Sequence, residues 1–454
     1  RGLGDVYKRQ TELVEETGGF IELDNLPIGD PTLSNKEIIG NESQERMGLI
    51  IKRENIHEFI QICERERAPV YIVGKVTDDG RFTIYSEKTN LKCVDLDLGH
   101  FFGSSPQTIL KDKSVSKKYN QIKYSTKLIH KYVEQLFSLE SVGCKDWLTN
   151  KVDRCVGGKV AKQQCVGELQ LPLNNCGVMA LDFSTTHGVA TSIGHSSISA
   201  LIDPESGSKN SIAEALTNII WAPIENNLKG VSLSANWMWP CRNYGEDARL
   251  YKAVDSLSKF AIELGINIPT GKDSLSMNQK YEDIEVKSPG TVIISATAHC
   301  SDIYNIIEPP LKANKGSVFY INLSSDDYKL GGSAFSQIIG NIGVDTPTIN
   351  DSKYFLNVFD TIQKMIKKKL IISGHDVGSG GLITTLMEMC FSTNNIGAKI
   401  DLTSLNEKDS VKVLFSENSG IVIQCKDKKS EKEIMDSGIR AYRIGEVNNS
   451  NNLV

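Results

Sequence analysis

Asp376 stands after His375 at the end of an apolar run, just before Gly378-Ser379-Gly380-Gly381. A carboxylate at a strand end beside a glycine turn suits a metal ion or a phosphate, because glycine lets backbone N–H groups approach an anion. Glu214 and Asn218 are spaced i and i+4 in IAEALTNII, so one helix face carries both side-chain oxygens. Such donors fit Mg2+, which takes one or two carboxylates and completes its shell with phosphate oxygens and water. Gly271-Lys272-Asp273-Ser274 follows an apolar strand end. It fails as a Walker A loop, because five residues separate Gly265 from Gly271 and Asp273 follows the lysine. Asn174 and Asn175 precede the apolar run CGVMALDF, and Glu42, Ser43 and Gln44 precede MGLII. Each motif also has a plainer reading: a solvated helix face, a turn bonded to its own backbone, or the start of a strand. His375 reads as a packed or capping histidine rather than a catalyst. No G-x-S-x-G or Cys-His nucleophile pattern is present, so any chemistry rests on oxygen and amide donors.

These groups need elements to hold them. VGGKVAK, CGVMALDF, KGVSLSANW and TVIISATAHC read as strands of a middle domain over 141–305. Two helices are expected there, over 208–220 and 245–265. In the second, Leu250, Val254, Leu257, Phe260, Ala261 and Leu264 recur at 3–4 spacing as one apolar stripe, with Glu246 and Asp247 in the first turn and Gly265 as the stop. The flanking regions repeat each other. TELVEETGGFIELDNL (11–26) resembles TTLMEMCFSTNNIGAKIDLTSL (384–405), NESQERMGLII (41–51) resembles FSENSGIVIQC (415–425), and RAPVYIVGKV (67–76) resembles GIRAYRIGEV (438–447). Three matches in the same order, at nearly one offset, imply two related α/β or α+β domains over 11–112 and 306–454. Each should run helix, strand, strand (MGLII in the first copy), helix and strand. Residues 113–140 read as a polar, partly helical linker. The repeat also calls for an HDVGxGGL-like element near residues 2–9. The chain has GLGDVYKR there, so residues 1–10 read as a non-native scar.

The net charge of −5, with no basic domain, argues against a nucleic-acid partner. Ten cysteines without a C-x-x-C pair fit reduced thiols in a cytoplasmic protein rather than a zinc or redox site. No apolar run reaches the ~18 residues of a membrane span.

Taken together, NESQER, VGGKVAKQQCVGELQLPLNNCGVMALDF, SIAEALTNI, VSLSANWMW, GEDARLYKAV, IPTGKDSLSM and HDVGSGGL follow an order that resembles the long, multidomain form of phosphoribosylformylglycinamidine synthase. The resemblance runs from Thr11 to the C-terminus. It implies AIR-synthetase-like A and B domains: the later part of a first B domain, a connector, a second A domain, and a second B domain cut short. It implies ATP-dependent amidation of formylglycinamide ribonucleotide, with ammonia from glutamine released in a glutaminase domain that this chain lacks. Residue by residue, it implies substrate contact by Glu42, Ser43 and Gln44. It implies Mg2+ held by Glu214, Asn218 and Asp376 with the position of Asn175, and ATP or ADP contacted by Asn174, Gly271, Lys272, Ser274 and Gly378. The chain departs from the family pattern where Asn175 replaces Asp, Gly378 replaces Ser and Lys272 replaces Asn. One carboxylate fewer should weaken or rearrange the metal site. No catalytic residue is expected in this portion, which should be inactive alone. The alternatives are another AIR-synthetase-like enzyme with a single A–B unit, or a half that holds Mg-nucleotide for structural reasons alone.

Overall fold

The computed structural model describes residues 11–41, 46–103, 109–115, 118–149, 154–155 and 157–454. Residues 1–10 and the substrate candidates Glu42, Ser43 and Gln44 lie outside the described residues. The chain divides into two compact units, residues 1–109 and 110–454.

In the first unit, Gly19–Glu22 (β1), Gly74–Val76 (β2), Arg81–Ser86 (β3) and Leu91–Asp97 (β4) form one sheet in the order β2-β1-β3-β4. Phe82 and Ile84 alternate inward from β3 against Val14, Ile21 and Leu23, and this is a small core. The helix expected from IHEFIQICERE forms as Ile56–Arg65 (α1), yet none of its residues is buried. MGLII, expected as a strand, is not one: Met47 and Leu49 are 72% and 58% exposed. The reason lies in its counterpart in the second unit. That segment is a strand hydrogen-bonded to neighbours on both sides, and no described residue of the first unit supplies such neighbours to MGLII.

The second unit contains two larger sheets. Val160–Lys162 (β5), Gly177–Ala180 (β6), Gly188–His195 (β7), Val231–Met238 (β8) and Asn267–Ser274 (β9) belong to the first. A hairpin of Asn278–Tyr281 (β10) and Ile284–Lys287 (β11) stands apart, and Thr291–Cys300 (β12) completes the sheet in the order β5-β6-β7-β12-β8-β9. All pairs are antiparallel except β8 with β9. The second sheet holds Ser317–Asn322 (β13), Ile371–Asp376 (β14), Gly397–Ile400 (β15), Gly420–Cys425 (β16) and Ala441–Asn448 (β17), in the order β14-β16-β13-β17-β15. β16 is flanked by β13 and β14 and is buried throughout.

The stretch expected as a linker contains Ile129–Phe137 (α2), whose Tyr132 and Leu136 pack with Phe335 and Phe415. Pro204–Ile219 (α3) begins where the Asp203 carboxylate accepts from the N–H groups of Glu205 and Ser206, with Pro at the first turn. Glu246–Leu264 (α4) starts at Gly245 and stops at Gly265 in the left-handed conformation, as the sequence suggests. Its N-terminal N–H groups find a distant partner: Asp112 accepts from Gly245, Asp247 and Ala248 at 3.1, 3.1 and 3.3 Å. The inward stripe of α4 differs from expectation. Val254 is 42% exposed and Ala253 is buried in its place, because 253, 257, 260 and 264 fall on one side of the helix and 254 is turned about 100° away.

α3 and α4 cover one face of the first sheet, and Ser352–Lys367 (α6) packs on α4. Phe260 of α4 meets Phe355 of α6 edge to face at 5.9 Å. One apolar core therefore runs from Ile294 and Ile212 through Trp221 and Phe355 to Ile321 and Ile423. Gln363 of α6, fully buried, ties down the turn after α3. It donates to the carbonyls of Ile220 and Ala222 and accepts from the N–H of Ile224. Gly381–Phe391 (α7) packs on β14 and on Ser410–Phe415 (α8), while Ala334–Ile339 (α5) packs on α2.

The repeat survives in the pairing itself. Ile21 opposes Gly74 in the first unit as Ile400 opposes Gly445 in the second. The parallel pairing of Gly19 with Phe82 recurs between Ala398 and Leu453. Strand register is set by which face is apolar, so equal registers mean that both copies solve the same packing problem.

Candidate functional site

Asp376 is the last residue of β14 and lies opposite Ile421 of β16; it is buried. The strand can sit this deep because Gly374 has no side chain: a Cβ there would lie 2.0 Å from the Trp221 ring. Beyond Asp376 the glycine turn enters α7 with Gly380 and Gly381 at φ of 93° and 75°, backbone that glycine adopts without strain. The Cβ that Gly378 lacks would stand 3.2 Å from Asp376 Oδ2.

α3 brings Glu214 and Asn218 to the same place, since it packs against β14 as well as β7. Glu214 Oε2 accepts from the His195 N–H at 2.6 Å. Asn218 Nδ2 donates to the Ile193 carbonyl at 3.2 Å, which commits its nitrogen and not its oxygen. With its amide oriented to satisfy both ends, Asn175 accepts from Trp221 Nε1 at 2.6 Å and donates to Asp376 Oδ1 at 3.2 Å. Asn174 faces away and ties down the preceding loop through the carbonyls of Gln163 and Cys165.

His375 is bracketed by carboxylates, with Nε2 2.9 Å from Glu388 Oε2 and Nδ1 3.3 Å from Asp376 Oδ1. Burial alone would lower its pKa, but the hydrogen bonds and charges of Asp376 and Glu388 raise it, to about 10. The Asn175 nitrogen lies 2.7 Å from Nδ1, a hydrogen bond only a neutral ring can accept. We assign the imidazolium, because two anions outweigh one amide. Glu214 shows the opposite situation. Burial pushes its pKa up to about 8; the His195 N–H opposes this, while Asp376 and Glu417 add to it.

Glu417 has no assigned role in the sequence reading, although it sits in the repeat opposite the Glu-Ser-Gln tripeptide. Its Oε1 accepts from the N–H groups of Gly380 and Ala334, both at 2.8 Å. Burial pushes it up to about 7, against the pull of those two bonds. Trp221 was also missed, and no local pattern could have shown that its indole N–H reaches Asn175.

The structure thus brings Asn175 and Gly378 to Asp376 and puts Glu214 within reach of its charge, with Asn218 one turn further along α3. It does not bring Gly271, Lys272 and Ser274 to them. Those residues lie along the edge strand β9, three strands from β7 and so ~14 Å away by strand spacing, where Lys272 Nζ bonds Ser274 Oγ at 3.3 Å. They form part of a strand rather than a loop past its end. A cavity of about 280 Å3 beside Asp327, Glu407 and Arg440 includes none of the named residues.

Among the described residues no three His, Cys, Asp or Glu side chains converge closely enough to hold a metal by themselves. Mg2+ does not require that, since one or two carboxylates suffice beside phosphate and water. The carboxylates of Glu214 and Asp376 and the amide oxygen of Asn218 are donors of the kind it takes, and the half-buried Glu214, beside two like charges, is the group a cation would relieve.

The comparisons agree with this architecture. A profile described as the FGAR-AT PurM_N-like domain matches residues 144–299. One described as the C-terminal domain of AIR synthase related proteins matches twice, at 11–87 and 316–454. Over 98% of its length the chain is 36% identical to the probable phosphoribosylformylglycinamidine synthase, chloroplastic/mitochondrial, of Arabidopsis thaliana, and 34% identical to phosphoribosylformylglycinamidine synthase of Homo sapiens. The chain is thus similar to phosphoribosylformylglycinamidine synthases along nearly its whole length. It spans about a third of the length of these synthases, 32% and 34% respectively. T. maritima PurL complexed with AMPPCP shares the fold at a TM-score of 0.62 and 14% identity, over 99% of this chain and 64% of that one. The mixed α/β architecture of the chain is therefore AIR-synthase-like.

Proposed function

We propose that the chain is part of an ATP-dependent ligase that amidates formylglycinamide ribonucleotide in purine biosynthesis, with glutamine as the source of ammonia. The observation that carries this is the 34–36% identity to named synthases across 98% of the chain. T. maritima PurL, alike in fold, is described complexed with ATP and with FGAR. Glu42, Ser43 and Gln44 would contact the ribonucleotide.

In the second unit we place a Mg-nucleotide at the end of β14. Glu214, Asp376 and the Asn218 oxygen would hold Mg2+, with Asn175 fixing Asp376 and the Gly378 turn facing the phosphates. Bound Mg2+ would neutralise phosphate charge. His375, clamped between two carboxylates, keeps Asp376 oriented and is not free to shuttle protons. This half holds a nucleotide rather than turning it over, and the 454 residues alone do not amidate the substrate. The ten free cysteines suit a reducing compartment such as the cytoplasm.

Titration of the metal-free chain with MgADP tests the site. Wild type should bind and exchange slowly without hydrolysis of ATP, while E214Q and D376N should lose binding. A wild-type chain that ignores MgADP, or one that amidates with ammonia and ATP, would sink the reading.

A further inference from the structure

Two backbone N–H groups from different helices point at one oxygen of Glu417: Gly380 N at the start of α7 and Ala334 N at the start of α5, each at 2.8 Å. Convergent main-chain donors of this kind make a seat for an anion. α7 has 11 residues and no side-chain cap from its own N-cap, Gly380. A second observation points to the same seat. Thr384, in the first turn of α7, is 2% exposed, and its hydroxyl has no hydrogen-bond partner. That hydroxyl lies against Gly380, where an added Cβ would meet it at 2.2 Å. Two N–H groups and a spare hydroxyl are the donors that a phosphate or carboxylate group takes.

Here the anion belongs to the chain itself, and it is fixed from behind. The adjacent Asn418 is buried and donates to Ser324 Oγ and the carbonyls of Asp326 and Asp327 at 3.0, 3.4 and 3.0 Å. Glu417 therefore has little freedom to swing out. Ser416, Glu417 and Asn418 also occupy, in the second copy of the repeat, the place of Glu42, Ser43 and Gln44 in the first.

We propose that Glu417 is a resident carboxylate that fills the seat between α5 and α7, closing that seat, though not the separate nucleotide position at Gly378, to the phosphate group of a second ligand. A free phosphate enters only when the side chain is removed. The seat uses neither Glu214 nor Asp376, so it stands or falls apart from the nucleotide reading.

The test melts the 454-residue chain in EDTA, which removes any metal-bridged phosphate site. Inorganic phosphate is added at constant ionic strength. E417A should melt a few degrees below wild type and regain that loss saturably with phosphate. Wild type should not respond, nor should E417Q, whose amide oxygen still accepts both N–H bonds. A folded E417A that ignores phosphate, or a wild type that responds as E417A does, overturns the proposal. Should E417A fail to fold, amide exchange of wild type decides the question. Equal protection of Gly380 and Ala334 with and without phosphate supports a filled seat, and phosphate-dependent protection there refutes it.

Discussion

Glu214 is the residue whose surroundings most contradict its chemistry. It is an acid with an ordinary pKa of 4.5, held near 8 in the folded chain by burial and by Asp376 and Glu417. Between those values the folded state binds the proton more tightly than the unfolded one. Stability from this group is therefore complete below about pH 4.5 and lost as pH rises through 8, a change on the order of 2–4 kcal/mol. In EDTA, the urea midpoint of the wild type should fall over that window more steeply than that of E214Q. Equal slopes would mean that Glu214 is not desolvated. Asn175 offers the converse test. N175D adds a carboxylate beside Asp376, so Mg-nucleotide affinity should rise several-fold in calorimetric titration, and apo stability should fall through like-charge repulsion. Unchanged affinity would place the metal elsewhere.

At the scale of elements, the site depends on how α3 ends. Gln363 satisfies three main-chain groups of the turn 220–224 from inside the core, and Trp221 in that turn supports both Gly374 and Asn175. Replacing Gln363 by Leu leaves buried N–H and C=O groups unpaired, at about 1–3 kcal/mol each with partial relaxation. Q363L should lower the melting temperature of the second unit and weaken nucleotide binding together, read by calorimetry. A Q363L protein as stable as wild type would show that water replaces the amide. The same comparison explains MGLII. The segment has the composition of a strand, but a strand exists only where its N–H and C=O groups find a ladder, and β16 has β13 and β14 while MGLII has neither among the described residues.

At the scale of the whole molecule, the two units differ in how much apolar surface they bury. The first rests on a small cluster around Phe82 and Ile84, whereas the second has a core continuous from one sheet to the other. Scanning calorimetry should show two transitions, the earlier and smaller from residues 1–109 and untouched by MgADP, the later raised by it. A single transition moved as a whole by nucleotide would show that the units unfold together. Leu49 and Ile50 are exposed, at 58% and 52%, so L49K/I50K should reduce aggregation measured by light scattering without moving the later transition.

Much was legible in the chain because it is local or periodic. The i, i+4 spacing of Glu214 and Asn218 put both on one helix face whatever lay around it, Gly265 stopped α4, and the repeat announced two copies whose strands now pair in the same register. The order of motifs pointed to the synthases to which the chain is similar. Other features depend on residues far apart in sequence. Glu417 meets Gly380 and Ala334 across 37 and 83 positions. Asn175 meets Trp221 and Asp376 only because Gly374 lets the indole lie against β14. Lys272 looked like a loop residue beside the site and proved to be part of an edge strand. Spacing along a chain determines which side chains share a face. Which faces meet, and which charges come together, is decided only when the sheets and helices pack.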